Sequence, residues 1–445
     1  MRIAWATPVA QRSAIARVSV DVVAALEARG HQVCVIGTEW EETVDDRRPM
    51  SGSFLSWRDL ERSGFAGEFD VLFANIGDNY AFHAGIFSLL GRWPTVGVFH
   101  DYYLHNLFNG WVWDGGRHDE AAQVSRHDEI IVETYGAEVL PLALAARRGE
   151  APLADLAVAL PMTEWLAAAC DGALAHAAFY VERLRAGCPG PVRQAAMPVT
   201  GRGVPALGPR GGHRIVLLTV GVMNANKCAD RVIDALGASE FGAKIDYHLV
   251  GSITSAEATR LADRAAIAGY RGLKVHGAVS DETLQDHLTG ADMIACLRCP
   301  VLEGSSGSAI EALLAGRPLL VADAGFYAEL PDAVVLKVAA DIPKSELVAQ
   351  VNRLAADEPL RRRLGAAGRD WATHRFDLGV YASAVETLAE ETMTVRPKLT
   401  MARHIGRELL QLGLSPADPA VDRIGALLTA LFPETPADAE GGAAP

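Results

Sequence analysis

Several features are missing from this chain, and each absence narrows what it can be. No apolar run reaches the ~18 residues that a membrane-spanning helix needs. The opening M-R-I-A-W-A-T-P goes straight into a strand-like run and lacks the charged, apolar and small-residue zones of a signal peptide. The expectation is therefore a cytoplasmic protein, working at most against the inner face of a membrane. Positive charge is in deficit: 41 Lys and Arg against 55 Asp and Glu leave a formal net charge of -14. That argues against a general nucleic-acid binder and against wholesale attraction to anionic lipid. The first turn, A-T-P-V-A-Q-R-S, lacks the G-x-G-x-x-G of dinucleotide-binding dehydrogenases. Cysteine is sparse and scattered, at Cys34, Cys170, Cys188, Cys228, Cys296 and Cys299, which offers no disulfide framework. Cys296 and Cys299 form a lone C-x-x-C without the second pair that a zinc site would want, so they read as buried thiols. No D-x-D-type metal cradle stands out, and no metal ligand is assigned.

What is present is a long, core-forming chain. Its 445 residues suffice for two domains, and hydrophobic residues make up 50% against 22% charged. Short apolar runs alternate with helical periods. Arg2 to Ala6 reads as a strand, 13–29 as a helix and His31 to Gly37 as a second strand, a βαβ opening that predicts a parallel sheet. Residues 40–66 read as an irregular surface excursion. Strands are expected at Phe69 to Asn75, Thr95 to Phe99, Gly172 to His176 and Val192 to Ala196, with one helix from Ala81 to Leu90. The apolar segments within 137–169 read as core packing; the alternative is a hydrophobic lip for a lipid-linked acceptor, and with it a peripheral membrane contact. Gly and Pro crowd 198–212, and the alternation restarts at Ile215. The division is 1–200 for the N-terminal domain, 201–212 for the linker and 213–375 for the C-terminal domain. A helix at 376–395 returns toward the first domain, an appended helical pair spans 396–432, and 433–445 forms a tail. Val421, Ile424, Leu427, Leu428 and Leu431 make an apolar stripe expected to pack on the body.

One stretch organises the second half: E-G-S-S-G-S-A-I-E-A-L-L-A-G-R-P-L-L-V-A-D-A-G, from Glu303 to Gly325. It reads as a small-residue loop, a helix, a stop at Gly316 and Pro318, and a buried strand. A Gly/Ser loop feeding a helix N-terminus exposes unpaired N–H groups and is a ready phosphate site. The bracketing acids, Glu303 and Glu311, would be repelled by phosphate and suit the hydroxyls of a sugar or ribose. The stretch reads as a site for a nucleotide-linked sugar. Glu311 has a second reading, since Ser308-x-x-Glu311 fits a capping box. Asp101, at the carboxyl end of a parallel strand, is either a ligand residue or a helix N-cap.

The ordered set resembles the retaining GT-B glycosyltransferases that carry an E-x7-E motif, the family 4-like group 1 enzymes, over about residues 1–393. The residues that carry it are Glu303 to Gly325 with E-L-P-D at 329–332, V-G-V-M-N-A-N-K at 220–227, S-A-I-A at 13–16, N-I-G-D-N at 75–79, H-D at 100–101 and A-H at 175–176. The resemblance implies an α/β GT-B architecture: two Rossmann-like domains whose parallel sheets face across a cleft, with a C-terminal helical appendage. It implies a hexosyltransferase-type activity, sugar moving with retention from a nucleotide diphosphate donor to a hydroxyl acceptor. Polysaccharide or lipid-linked glycan assembly is the expected setting. No cofactor and no essential metal are expected; the partners are the nucleotide sugar and a glycan or lipid-linked acceptor.

By the same resemblance Lys227 neutralises the diphosphate, Gly307 and Ser308 offer it N–H groups, Glu303 meets the donor sugar and Glu311 the ribose. His100 approaches the donor sugar from the other domain, and Ser13 and Asp101 lie on the acceptor side. His176 and His83 are weaker candidates, better read as structural. The family often has Arg five positions before the lysine. Here that position is Val222, so Asn224 or Asn226 is expected to supply neutral donors. A sugar-nucleotide epimerase of the same fold and a non-catalytic partner subunit are the alternatives.

Overall fold

The computed structural model describes residues 1–40, 46–63, 69–113, 120–201, 214–415 and 418–432, with backbone alone at 61–63. Most of the Gly/Pro linker and the tail from 433 lie outside the described residues.

Two parallel sheets form the frame. The first has seven strands: β1 (Arg2–Thr7), β2 (Gln32–Gly37), β3 (Ser53–Ser56), β4 (Val71–Ile76), β5 (Thr95–Phe99), β6 (Gly172–Ala175) and β7 (Val192–Gln194), in the order β3-β2-β1-β4-β5-β6-β7. The second has six: β8 (Ile215–Val220), β9 (Ile245–Val250), β10 (Leu273–Gly277), β11 (Met293–Cys296), β12 (Leu319–Ala322) and β13 (Leu336–Val338), in the order β10-β9-β8-β11-β12-β13. Every residue of β4, β11 and β12 is buried, as expected of strands covered on both faces by crossover helices. The order reverses between β1 and β4 in one sheet and between β8 and β11 in the other. Open α/β sheets bind ligands beyond the carboxyl ends of strands at such reversals. The loops after β1, β4, β8 and β11 are therefore where a site belongs, and they are the loops that face each other.

The two domains meet directly. Asp101 and Glu303 form an antiparallel bridge. The N–H groups of Tyr102 and Tyr103 both donate to Leu302 O at 2.9 Å, and Gly304 N–H donates to His100 O at 2.9 Å. Gly304 is needed for this approach, since a Cβ there would stand 2.6 Å from Tyr180 Oη and 3.0 Å from His100 O.

Four sequence expectations change. The excursion at 40–66 holds the edge strand β3 and a helix, Trp57–Ser63. The helix expected from Ala81 to Leu90 is two short ones, Tyr80–His83 and Ile86–Leu89. The break expected near 396 does not exist: one helix runs Leu378–Gln411, straight through Pro397. Proline inside a helix costs about 3 kcal/mol, and the turns around this one are held from outside, because Arg396 and Arg403 both bind the carboxylate of fully buried Asp171. This helix packs Tyr381, Ala382, Val385, Leu388 and Ala389 into the core of the N-terminal domain, beside Ile3, Trp5, Val35 and Phe73. The stripe on the last helix, Pro419–Leu431, is only partly covered, with Val421, Ile424 and Leu428 half-buried. None of its residues is buried, and Leu427 and Leu431 are about two-thirds exposed. Its start is as expected, Asp418 accepting from Ala420 N.

The apolar segments of 137–169 are largely core. Ala143, Leu156, Ala157, Leu160, Met162 and Leu166 are buried, and Leu153 and Val158 are the large apolar side chains left exposed there. No helix among the described residues is long and apolar enough to cross a membrane.

Candidate active site

Two adjoining hollows occupy the cleft. One, of about 600 Å³, is lined by Ser13, His83, His100, Asp101, Gly307 and Glu311 among others. The other, of about 790 Å³, takes in Asn224, Asn226, Lys227, Arg298, Glu303 and Ser305 to Ser308. All ten residues singled out as site residues in the sequence line one hollow or the other. His176 lies behind them, buried in the N-terminal domain.

The anion seat is built by the helix Gly307–Leu314. Its N-cap is Ser306, whose Oγ accepts from Ala309 N at 3.3 Å. The N–H groups of Gly307 and Ser308 then make no hydrogen bond to another described residue, as the geometry of a first turn requires. Protein packing does not demand glycine at 307, because a Cβ there would meet nothing closer than Met197 Cε at 3.8 Å. At the far end Gly316, with φ +67°, closes the helix as expected, and Arg317 N–H reaches back to Ala312 O at 3.0 Å.

Because Ser306 is the cap, the capping-box reading of Glu311 falls. Glu311 sits two residues too far along, and its carboxylate instead meets Arg17 Nη2 from the opposite domain at 2.8 Å. Arg17 and Arg48 also pair with Asp281, so several ion pairs cross the cleft beside Glu311.

Lys227 stands in a single 3-10 turn after β8, redirected by Cys228 in the left-handed region (φ 54°). Its ammonium makes no hydrogen bond to a described residue, and burial with the nearby Arg298 guanidinium lowers its pKa to about 8. Beside it, Asn226 Oδ1 and Ser305 Oγ are buried without a hydrogen-bond partner. Such orphan groups cost free energy unless something fills the hollow and satisfies them. Val222 is 62% exposed and brings no charge.

Glu303 is held by two residues that the sequence reading passed over. Arg298 Nε and Tyr327 Oη both donate to its Oε1 at 2.7 Å. Oε2 makes no hydrogen bond to another described residue. Burial alone would raise the carboxyl, but Arg298, Lys227 and the Tyr327 hydroxyl outweigh it and hold it down to about 2. Arg298 was hidden inside C-L-R-C, where the cysteines drew the reading. The signal that could have found it is a charged residue directly after the apolar strand β11, at the sheet's ligand-binding end. Cys296 is buried beside it and Cys299 is exposed.

On the N-terminal side the histidines form a relay. His176 Nδ1 meets Ala195 O at 3.2 Å, His176 Nε2 meets His100 Nδ1 at 3.3 Å, and His100 Nε2 meets Asn75 Oδ1 at 3.0 Å. Both ring nitrogens of His100 are thus engaged within its own domain, and burial holds the imidazole neutral. The His100 ring lines the cleft, and its carbonyl accepts from Gly304 N–H, next to Glu303. His83 Nδ1–H donates to Asn75 O (3.0 Å), and burial lowers its pKa to about 4.

Asp101 is not a helix cap. The helix His105–Trp113 is capped from a distance by Asp78, whose Oδ1 accepts from Asn106 N at 2.8 Å and Leu107 N at 3.1 Å. Asp101 accepts instead from Asp78 N–H at 2.8 Å. Burial raises Asp101 to about 7, against that N–H bond and with the help of Glu303. Ser13 spends its hydroxyl on the first helix, accepting from Ala16 N at 3.1 Å.

Residues 208–371 match the family model of glycosyl transferases group 1. Among curated proteins, none matches the sequence. Solved structures share the fold at low identity. HepE of Anabaena, crystallised with UDP and glucose, is 15% identical over 88% of this chain and 100% of that one, with a TM-score of 0.59. Sucrose-phosphate synthase from Thermosynechococcus elongatus is 15% identical over 88% and 98%, with a TM-score of 0.60. A glycosyltransferase from Rickettsia africae is 11% identical over 88% and 98%, with a TM-score of 0.58. The C-terminal domain is thus similar to the glycosyl transferases group 1 over residues 208–371, on a chain whose fold is GT-B.

Proposed function

We propose that this chain is a retaining glycosyltransferase of hexosyl type. It takes a nucleoside diphosphate sugar as donor and a hydroxyl of a growing polysaccharide or lipid-linked glycan as acceptor. The observation that carries the reading is the hollow in which the free N–H groups of Gly307 and Ser308 share a wall with Lys227 and Glu303. A diphosphate seated there has a helix N-terminus and an ammonium to stabilise the charge that develops as it leaves. Arg298 adds a second positive charge where Val222 offers none. Glu303, kept ionised, accepts hydrogen bonds from the sugar through Oε2. Glu311 accepts from the ribose once Arg17 yields it. The acceptor attacks on the face the diphosphate leaves, and the departing phosphate oxygen takes its proton. Asp101 lies on the acceptor side of the cleft and in its ionised form accepts from the incoming hydroxyl. The solved HepE complex holds UDP and glucose, which supports a nucleotide sugar as the ligand class.

The test begins with a thermal-shift panel of nucleotide sugars, followed by release of nucleoside diphosphate when acceptor is added. Glu303→Ala and Lys227→Ala should each cut turnover by on the order of 10² or more, equivalent to about 3 kcal/mol each in the transition state. Near wild-type activity in both variants would refute the site. Conversion of donor without acceptor would make it an epimerase.

A further inference from the structure

Away from the cleft lining, three histidines converge on the outer edge of the C-terminal sheet. We propose that His248, His276 and His287 form a binding site for a borderline divalent transition-metal ion of the zinc type. Their candidate ligand nitrogens all lie within 4.8 Å of one another. His276 Nε2 and His248 Nδ1 stand 3.2 Å apart. Two nitrogens bound to one tetrahedral zinc at about 2.05 Å stand about 3.3 Å apart, so this pair already has the spacing of a shared ion. The ring of His287 lies 4.4 Å from that of His276 and 5.9 Å from that of His248, centroid to centroid.

Each ligand comes from a separate, anchored element. His248 is in β9, and His276 is in the adjacent edge strand β10, which pairs with it in parallel. His287 is in the helix Asp281–Gly290, whose last turn is fixed by Arg317, 1% exposed, donating to Leu288 O at 2.9 Å and to Thr289 O at 3.1 Å. His248 is half-buried, and the nitrogen it turns toward His276 is Nδ1. Three imidazoles at this spacing repel once protonated, and a shared cation reverses the sign of that interaction. A set of neutral nitrogens suits zinc, copper, nickel or cobalt and disfavours magnesium or calcium. Three ligands leave a fourth position for water or an exogenous donor. No motif announces the site, because the residues are 28 and then 11 positions apart on three elements.

The experiment is a zinc titration of the tag-free, chelator-stripped full chain by calorimetry, with magnesium as the hard-ion control. One zinc per chain is expected, undisturbed by magnesium. His276→Gln and His287→Gln should each weaken it at least about tenfold, while Cys299→Ser, which removes the exposed thiol, leaves it unchanged. Cobalt should give the visible bands of a tetrahedral site in wild type and lose them in His276→Gln. Absence of stoichiometric zinc, zinc uptake indifferent to both histidine substitutions, or uptake abolished by Cys299→Ser would each overturn the proposal.

Discussion

Replacing Arg298 by Met tests the electrostatics on which Glu303 depends. The carboxyl is held at about 2 rather than its ordinary 4.5, although it is buried. At about 1.4 kcal/mol per tenfold change in proton affinity, this favours the ionised form by about 3 kcal/mol. Arg298 is the largest of the opposing charges, and its removal leaves a buried carboxylate short of its partner, a loss of about 3–5 kcal/mol. Glu303 has a depressed folded-state pKa, so its contribution is present above pH 4.5 and fades as pH falls toward 2. Arg298→Met should therefore lower stability by about 3 kcal/mol at neutral pH and flatten the acid limb of the stability profile. In a Glu303→Gln background the same substitution should cost less than about 1 kcal/mol, because the charge it balances is gone. Urea unfolding of the four proteins of this cycle, from pH 2.5 to 7, gives the answer. An equal cost of Arg298→Met in both backgrounds would show that the guanidinium acts by packing and that the charge argument is wrong.

Three further outcomes are expected. The pH dependence of kcat/KM should be bell-shaped, rising as Asp101 ionises near 7 and falling as Lys227 loses its proton near 8; Lys227→Arg should remove the alkaline limb and Asp101→Asn the acid one, and limbs unmoved by either substitution would disprove the assignment. Glu311→Ala should weaken donor binding about tenfold or more, as loss of charged hydrogen bonds does, while Arg17→Ala, which frees Glu311, should tighten it; calorimetry showing both variants equally weakened would end the ribose reading. Gly304→Ala forces a methyl against Tyr180 Oη, which is itself fixed at 2.7 Å to Phe99 O, and overpacking of about 1–3 kcal/mol should cost turnover roughly ten- to hundredfold with donor affinity retained, a split that steady-state kinetics and calorimetry can read.

Much of this architecture was legible in the sequence because its signals are local. The loop, helix, stop and strand of 303–325 follow from small residues, a helical period, Gly316 and Pro318, none of which needs a distant neighbour. The strands of both sheets announce themselves by apolar runs, and β3 escapes because four residues, Ser-Phe-Leu-Ser, carry too little period. Where partners come from afar the reading failed. The division at 395/396 misses the continuous helix because Asp171, more than two hundred residues earlier, binds Arg396 and Arg403 on either side of Pro397. The second reading of Glu311, as a capping residue, stood only because Arg17 is remote in sequence. Asp101 looked like a cap because Asp78 reaches that helix from another loop. Arg298 and Tyr327 became visible only when folding brought them to the same oxygen of Glu303.

The long helix Leu378–Gln411 has a consequence for how the chain is made. It supplies part of the N-terminal domain's core, and Arg29, His31 and Arg193 reach across to its Glu386 and Glu391. During synthesis the first two hundred residues leave the ribosome well before this helix exists. Until it docks, the flank of that core between the first helix and strands β5, β6 and β7 stays uncovered. The domain translated first is therefore the one completed last, and in the interval that exposed face is a natural target for a chaperone.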